Sequence, residues 1–385
     1  MERREENMKA ITRVFPDGEK VCAIVLDYSV EVEASSLDSD TYTVEVVYEG
    51  DLHKRTVKNV YVSQSETDLV RKPSYFPHFA KKGRYVVLEL DTSEPLAKTF
   101  RYESNGLAKR LQLEHKVRQI KKILTTQGWV QDRDFIVREE RHWVIDEFQQ
   151  FVFEKDGVKI PYRLFIPSEL EPGKKYPLVV FLHGGGERGT DNYVQLATYR
   201  GAVVWAEPRV QVRFPCFVLA PQCPPESGWT KRIFDGNFFE PTRELLAVVG
   251  IIESLLKDYS IDEERIYITG LSMGGAGTFA LVAEYPDFFA AAVPICGVGD
   301  PAKVESMKKV PMWVFHAEDD GVVPVSFSRE IVKRLVRSGG YVRYTEYEKG
   351  YMEKLGFDPH ASWIPAYERE DLIEWLFQQR KGKVK

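Results

Sequence analysis

Two hydrophobic rhythms divide the chain. Up to about residue 140, apolar and polar positions alternate. Tyr42, Val44, Val46 and Tyr48 fall on one side of an extended segment, and Thr43, Glu45 and Glu49 fall on the other. That is the period of a strand with one wet face. Val21 to Tyr28, Arg55 to Val62 and Arg84 to Asp91 are further strand candidates, with turns expected at Pro16-Asp17-Gly18, Asp38-Ser39-Asp40, Glu49-Gly50-Asp51 and Lys82-Gly83. Short antiparallel strands at this spacing predict a β-sandwich over residues 1–140, of immunoglobulin type. Ala108 to Leu124 is mixed and fits strand or helix.

From about residue 141 the rhythm changes. Phe151 to Phe153 and Tyr162 to Ile166, joined through Asp156-Gly157, predict a hairpin. Leu178-Val179-Val180-Phe181-Leu182 is apolar without alternation, the mark of a strand covered on both faces. Cys216 to Ala220, Arg265 to Thr269, Ala291 to Cys296, Pro311 to Phe315 and Val342 to Tyr347 continue the series. Between them lie helical stripes: Leu245, Val248, Val249, Ile252 and Leu256; then Ile331, Leu335 and Val336; then Leu372, Trp375 and Leu376. Strands alternating with helices predict an α/β domain over 141–385, a doubly wound and mostly parallel sheet.

Composition narrows the picture. The 385 residues exceed one average domain, and an apolar share of 43% is enough for two cores. A net charge of −5 without a basic patch argues against nucleic acid as a partner. No apolar run approaches a membrane span. Cys22, Cys216, Cys223 and Cys296 form no metal-ligand spacing, so no metal site is expected; buried thiols are expected, with a Cys216–Cys223 disulfide as the alternative. The N-terminus lacks the apolar core of a secretory signal, although a chain trimmed of its signal would look the same. Many Glu and Lys residues are compatible with a thermophile.

The chemistry gathers around Arg265-Ile266-Tyr267-Ile268-Thr269-Gly270-Leu271-Ser272-Met273-Gly274-Gly275. A strand ends in Gly-x-Ser-x-Gly and a helix follows, which puts Ser272 at the apex of a sharp turn. Such a turn needs neighbours without bulk, and it leaves the Met273 N–H at a helix N-terminus, where an oxyanion would be held. After the strand Val310 to Phe315 comes His316-Ala317-Glu318-Asp319-Asp320, which places Asp319 or Asp320 at the carboxyl edge of the sheet. Of the seven histidines only His360 follows them. Leu182-His183-Gly184-Gly185-Gly186-Glu187-Arg188-Gly189 is a glycine run after a core strand. It offers a second oxyanion donor, Gly185 or else Gly186. It lacks the pattern of a phosphate-binding loop. His183 and His316, both at strand ends, are expected to bond the loops after them.

With Leu-His-Gly-Gly-Gly-Glu-Arg-Gly, Gly-Leu-Ser-Met-Gly-Gly and the order serine, acid, histidine, residues 141–385 resemble the α/β-hydrolase superfamily. They are most similar to esterases related to polyhydroxybutyrate depolymerases and "predicted peptidases". The two-domain layout resembles EstA-type thermostable carboxylesterases, in which an immunoglobulin-like domain precedes the hydrolase. The esterase segment H-G-x-x-D-x-x-V-P, with Ala317 in place of its glycine, selects Asp320 over Asp319. The resemblance implies a serine carboxylesterase that cleaves short-to-medium acyl esters through Ser272, His360 and Asp320, with Met273 and Gly185 as the oxyanion hole. It implies neither a metal nor an organic cofactor, and the partner is then a small ester, with no nucleic acid and no membrane.

A serine peptidase of prolyl-oligopeptidase type uses the same three groups and is the alternative. The N-terminal domain is expected to cover the active-site mouth or to make subunit contacts in a homo-oligomer; a glycan-binding role would draw on Tyr75, Phe76, His78 and Phe79. Asp191 to Arg213, with Tyr193, Tyr199 and Trp205, is a candidate roof. Trp229 and Trp363 are candidate substrate-binding walls, with core packing as the other reading of each.

Overall fold

The computed structural model describes residues 8–65, 80–137, 139–231 and 240–383; Tyr75, Phe76, His78 and Phe79 lie outside them. The chain divides into two compact units, Met1–Arg101 with Arg110–Asp146, and Tyr102–Lys109 with Glu147–Lys385. Among the described residues no helix is long and apolar enough to cross a membrane.

The strands before Glu147 are β1 (Met8–Phe15), β2 (Gly18–Glu33), β3 (Tyr42–Tyr48), β4 (Asp51–Arg55), β5 (Val57–Ser63), β6 (Lys82–Leu90), β7 (Phe100–Tyr102), β8 (Ala108–Arg110), β9 (Glu114–Gln119), β10 (Ile123–Thr125), β11 (Gly128–Val130), β12 (Arg133–Ile136) and β13 (Glu139–His142); β7 and β8 pair with each other at the ends of the Tyr102–Lys109 segment, and the others build the N-terminal unit. Ala108 to Leu124, ambiguous in sequence, is strand. One sheet runs β11-β10-β2-β1-β13, with β6 on β2 and β5 on β6; the other runs β12-β9-β3-β4. Ile24, Leu26 and Leu88 of the first share one core with Val44, Val117 and Phe135 of the second. The alternation of β3 is what lets this happen: Tyr42, Val44 and Val46 are buried and the residues between them are not.

A buried polar cluster ties this unit together. The Thr12 hydroxyl donates to Glu19 Oε1 at 2.5 Å, Thr99 donates to Oε2 at 2.6 Å, and His142 Nδ1 stands 2.7 Å from Oε1. Burial alone would raise the Glu19 carboxyl, but His142 and the two hydroxyls hold it below its usual range. Burial would lower His142; its bonds to Glu140 and Glu19 outweigh that and raise it to about 9.

The second unit holds one sheet of β14 (Phe148–Lys155), β15 (Val158–Phe165), β16 (Tyr176–Leu182), β17 (Phe217–Pro221), β18 (Ile261–Leu271), β19 (Ala291–Ile295), β20 (Met312–Ala317) and β21 (Val342–Tyr347), in the order β14-β15-β17-β16-β18-β19-β20-β21. β15 runs antiparallel to both of its neighbours, β14 and β17, and every other pair in the sheet is parallel. The β14–β15 hairpin turns through Asp156 and Gly157, whose φ values of 51° and 74° suit the tight turn its sequence announces. Every residue of β16 is buried, as its unbroken apolar run requires.

The long helices are α1 (Arg243–Asp258), α2 (Met273–Glu284), α3 (Ser326–Arg337) and α4 (Glu370–Gln378). Thr242 caps α1 by accepting from the Leu245 N–H. Leu245, Val248, Val249 and Ile252 of α1 are buried against the sheet, as are Ile331 and Leu335 of α3. Val336 is not part of that stripe: it lies one residue around the helix and is 60% exposed. Cys216 and Cys223 carry free, buried thiols and form no disulfide.

Candidate active site

β18 delivers Ser272 to a turn that leaves it with φ 52° and ψ −115°, a conformation that L-residues rarely adopt. Close packing explains the flanking glycines. A Cβ on Gly274 would overlap the Leu182 carbonyl, and one on Gly270 would overlap the Gly274 carbonyl. From the far side the end of β19 supports the turn, with the Ser272 N–H donating to Ile295 O at 2.9 Å. Helix α2 begins at Met273, so the first N–H groups of that helix have no partner within it.

β20 ends in the loop that carries the two candidate acids, and they diverge. Asp319 accepts from the Gly350 N–H at 2.8 Å. Asp320 turns inward, and its Oδ2 stands 2.7 Å from His360 Nδ1. Its other oxygen accepts from Val322 and Val323 N–H at 2.8 and 2.9 Å. Burial would raise the Asp320 carboxyl, but hydrogen bonds from His316, His360 and the backbone outweigh it and hold it below the carboxylate range. His360 enters on a loop fixed by its own N–H to Asp358 at 2.8 Å, and its Nε2 lies 2.9 Å from Ser272 Oγ. Carboxylate and hydroxyl therefore occupy opposite nitrogens of one imidazole.

His316 is more than a loop anchor. Its Nδ1 meets Ser328 Oγ at 2.7 Å, its Nε2 meets Val323 O at 2.9 Å, and the same Nε2 lies 3.2 Å from Asp320 Oδ2. Sequence reading missed this second histidine on the acid, although its spacing of four residues from Asp320 was visible. Cys296 also closes on the group: its thiol, an Asp320 oxygen and a His360 nitrogen lie within 4.8 Å of one another. That set has donors for a soft cation, but Asp320 and His360 already spend theirs on each other and on their neighbours.

The glycine run after β16 is held from several directions. His183 accepts from the Cys223 N–H at Nε2 (2.9 Å), which leaves Nδ1–H to donate to Gly184 O at 2.7 Å. Burial pushes this ring down to about 4, so it is neutral at neutral pH and suits that tautomer. Arg188 donates to Gly185 O at 2.8 Å and to Pro225 O at 3.0 Å. A Cβ on Gly185 would meet no protein atom within 4 Å; the same test on Gly186 brings it to 2.6 Å from the Tyr102 ring.

The two wall candidates separate. Trp229 is not at the site: it is fully buried, donates from Nε1 to His183 O at 3.0 Å and packs its ring 5.1 Å from that of His183. It is core because it fills the space behind the glycine run. Trp363 stands edge-on to His360, ring centres 5.2 Å apart, and Tyr199 meets Trp363 at 5.0 Å. Tyr199 is the residue of the 191–213 stretch beside this group; Tyr193 and Trp205 are buried in the core.

With this geometry in hand, comparison with known proteins places the chain. Residues 7–131 match the family described as the esterase immunoglobulin-like N-terminal domain, and residues 241–309 match the prolyl oligopeptidase family. A solved thermostable esterase is 52% identical over 97% of this chain and 99% of its own, with a TM-score of 0.92. The chain belongs to that esterase family. It is a carboxylic ester hydrolase of the serine-hydrolase type, with an immunoglobulin-like domain ahead of an α/β-hydrolase domain.

More distant relatives share the hydrolase part. A poly(3-hydroxyalkanoate) depolymerase C of Paucimonas lemoignei is 35% identical over 127 residues, 31% of this chain and 28% of that protein. A bifunctional acetylxylan esterase/xylanase of Neocallimastix patriciarum is 28% identical over 169 residues, 44% of this chain and 22% of that protein. The chain thus spans about a quarter of the length of these two curated relatives.

Proposed function

We propose that this esterase cleaves short-to-medium acyl esters with Ser272 as nucleophile, His360 as base and acid, and Asp320 as the group that orients the imidazole. The observation that carries the reading is the unbroken line from Asp320 Oδ2 through His360 to Ser272 Oγ, with contacts of 2.7 and 2.9 Å. His360 Nε2 takes the serine proton as Oγ attacks the ester carbonyl. Asp320, kept ionised, stabilises the imidazolium, which then protonates the leaving alcohol. Water enters, His360 takes its proton, and the acyl-enzyme is released as the acid. The Met273 and Gly185 N–H groups hold the tetrahedral oxyanion. An open face at Gly185 supports its part, because a donor there must meet substrate and not protein.

Trp363 packs edge-on against the His360 ring with Tyr199 against it, which makes this pair the aromatic group closest to the base and the one we assign to limiting acyl or alcohol size. Hydrolysis of p-nitrophenyl esters of increasing acyl length, with Ser272→Ala as control, tests the reading. A Ser272-dependent rate that peaks at short-to-medium chains supports it; a rate indifferent to Ser272 refutes it. The match of residues 241–309 to the prolyl oligopeptidase family favours a second reading, a peptidase on the same groups. An amide and an ester that share one acyl group separate the two.

A further inference from the structure

Glu187 is a buried acid with no part in that mechanism. It is 2% exposed, and the partners of its carboxylate are neutral: the Tyr102 hydroxyl at 2.9 Å from Oε1, the Thr198 hydroxyl, and the backbone of Gly184 and of Glu187 itself. Its neighbour Arg188 is directed elsewhere, to carbonyls of Gly185, Pro225 and Ser227. A carboxylate buried without a cation costs folding free energy, and burial raises its pKa here despite those bonds. Simple packing would have been served better by an apolar residue.

Its position gives a reason to keep it. Glu187 Oε2 lies against Gly184, where a Cβ would come within 2.9 Å of it. The Tyr102 ring lies against Gly186, and the Tyr102 hydroxyl bonds both Glu187 and, at 3.1 Å, Tyr199. One member of the pair therefore fixes the residue before Gly185, and the other fixes the residue after it. Only Gly185 is left facing open space. Through Tyr199 and Trp363 the same arc reaches the ring of His360. Tyr102 belongs to the Tyr102–Lys109 excursion, far upstream of the hydrolase strands.

We infer that Glu187 is a positioning residue for the oxyanion donor at Gly185, with the Tyr102 hydroxyl as the clamp that aims its carboxylate. The inference rests on the serine-triad reading above. Its effect appears when negative charge develops on the carbonyl oxygen, so it is felt in kcat more than in KM.

The test measures kcat, KM and Tm for Glu187→Gln and Tyr102→Phe on a short p-nitrophenyl ester, beside Ser272→Ala. Glu187→Gln keeps the shape but turns one acceptor into a donor. It is expected to lower kcat by about 10- to 100-fold with KM changed less than about 3-fold, because a donor misplaced by a fraction of an ångström forfeits part of its stabilisation. Tyr102→Phe keeps the ring and is expected to lower kcat by about 3- to 10-fold. A kcat for Glu187→Gln within about twofold of wild type overturns the inference, as does a loss matched by an equal loss of folded protein. Should Glu187→Gln not fold, Tyr102→Phe decides: an unchanged kcat overturns the inference. An active Ser272→Ala brings down the triad reading and this inference together, whereas a dead Ser272→Ala beside a normal Glu187→Gln brings down the inference alone.

Discussion

Thr12, Glu19 and His142 in the N-terminal unit are the same three kinds of group as Ser272, Asp320 and His360 in the hydrolase unit. Both sets bury an acid against an imidazole, at 2.7 Å in each case. They differ in wiring. Glu19 Oε1 and Thr12 Oγ1 crowd one nitrogen, His142 Nδ1, at 2.7 and 3.0 Å, and the hydroxyl spends its proton on the carboxylate. Asp320 and Ser272 take opposite nitrogens of His360, so a proton gained on one side is stabilised from the other. Thr12 is fully buried within a strand, whereas Ser272 sits partly exposed on a turn with φ 52°. A shared inventory of residue types says little about chemistry; which ring atom each group touches, and whether solvent reaches the hydroxyl, says much more.

Substitutions should split the two clusters by kind of damage. The largest effect is expected from Ser272→Ala, which should fold with a near-normal Tm and lose essentially all esterase turnover, by about 10⁴-fold or more. Asp320→Asn should follow, with kcat down by about 10³- to 10⁴-fold as the imidazole loses its orientation and its counter-charge. A stopped-rate ester assay alongside thermal unfolding reads both. Thr12→Val should leave kcat within about twofold while lowering stability by about 1–3 kcal/mol, since it takes a hydrogen-bond donor away from the buried Glu19 carboxylate. A large loss of turnover in that variant with an intact fold would break the contrast.

The structural cluster should also leave a mark in pH. His142 is raised from 6.5 to about 9 in the folded chain, so its contribution is complete below about pH 6.5 and is lost as pH rises through about 9. Glu19 is held below its ordinary 4.5, so its contribution is present above that pH and is lost on acidification. Thermal unfolding followed from pH 6 to 10 should show an alkaline decline that His142→Gln flattens; an equal decline in both proteins would count against the assignment.

The smallest effect is expected at an ion-pair network in the hydrolase unit. Glu207, buried, meets Arg200 at 2.5 Å and Arg209 at 2.8 Å, and these reach on to Glu368 and Glu370. The network joins the 191–213 stretch to the last helices. Glu207→Gln should lower Tm by a few degrees, because it leaves the largely buried Arg200 guanidinium and the more exposed Arg209 short of a charged partner.

Much of this architecture could be read from the chain because each signal was local. The unbroken run Leu178 to Leu182 marked a covered strand, the alternation of β3 marked a half-wet one, and glycines flanked Ser272 where backbone from other strands approaches. Residue type alone does not separate Asp319 from Asp320, which differ in whether the backbone turns them to Gly350 or to His360; the register of the H-G-x-x-D-x-x-V-P segment is what selects Asp320. Trp229 looked like Trp363 in sequence. One is core and the other borders the base because of the segments packed around them, which no pattern near either tryptophan encodes. Tyr102 was hidden for the same reason: its partners Glu187 and Tyr199 lie more than eighty positions downstream.

The contrast between the two clusters can be tested in one measurement. The intact enzyme is treated with an organophosphonate that reacts with activated hydroxyls, digested, and mapped by mass spectrometry. The account predicts one stoichiometric adduct on Ser272, abolished in His360→Ala, with Thr12 unmodified. An unlabelled Ser272, or an adduct on Thr12, would contradict it.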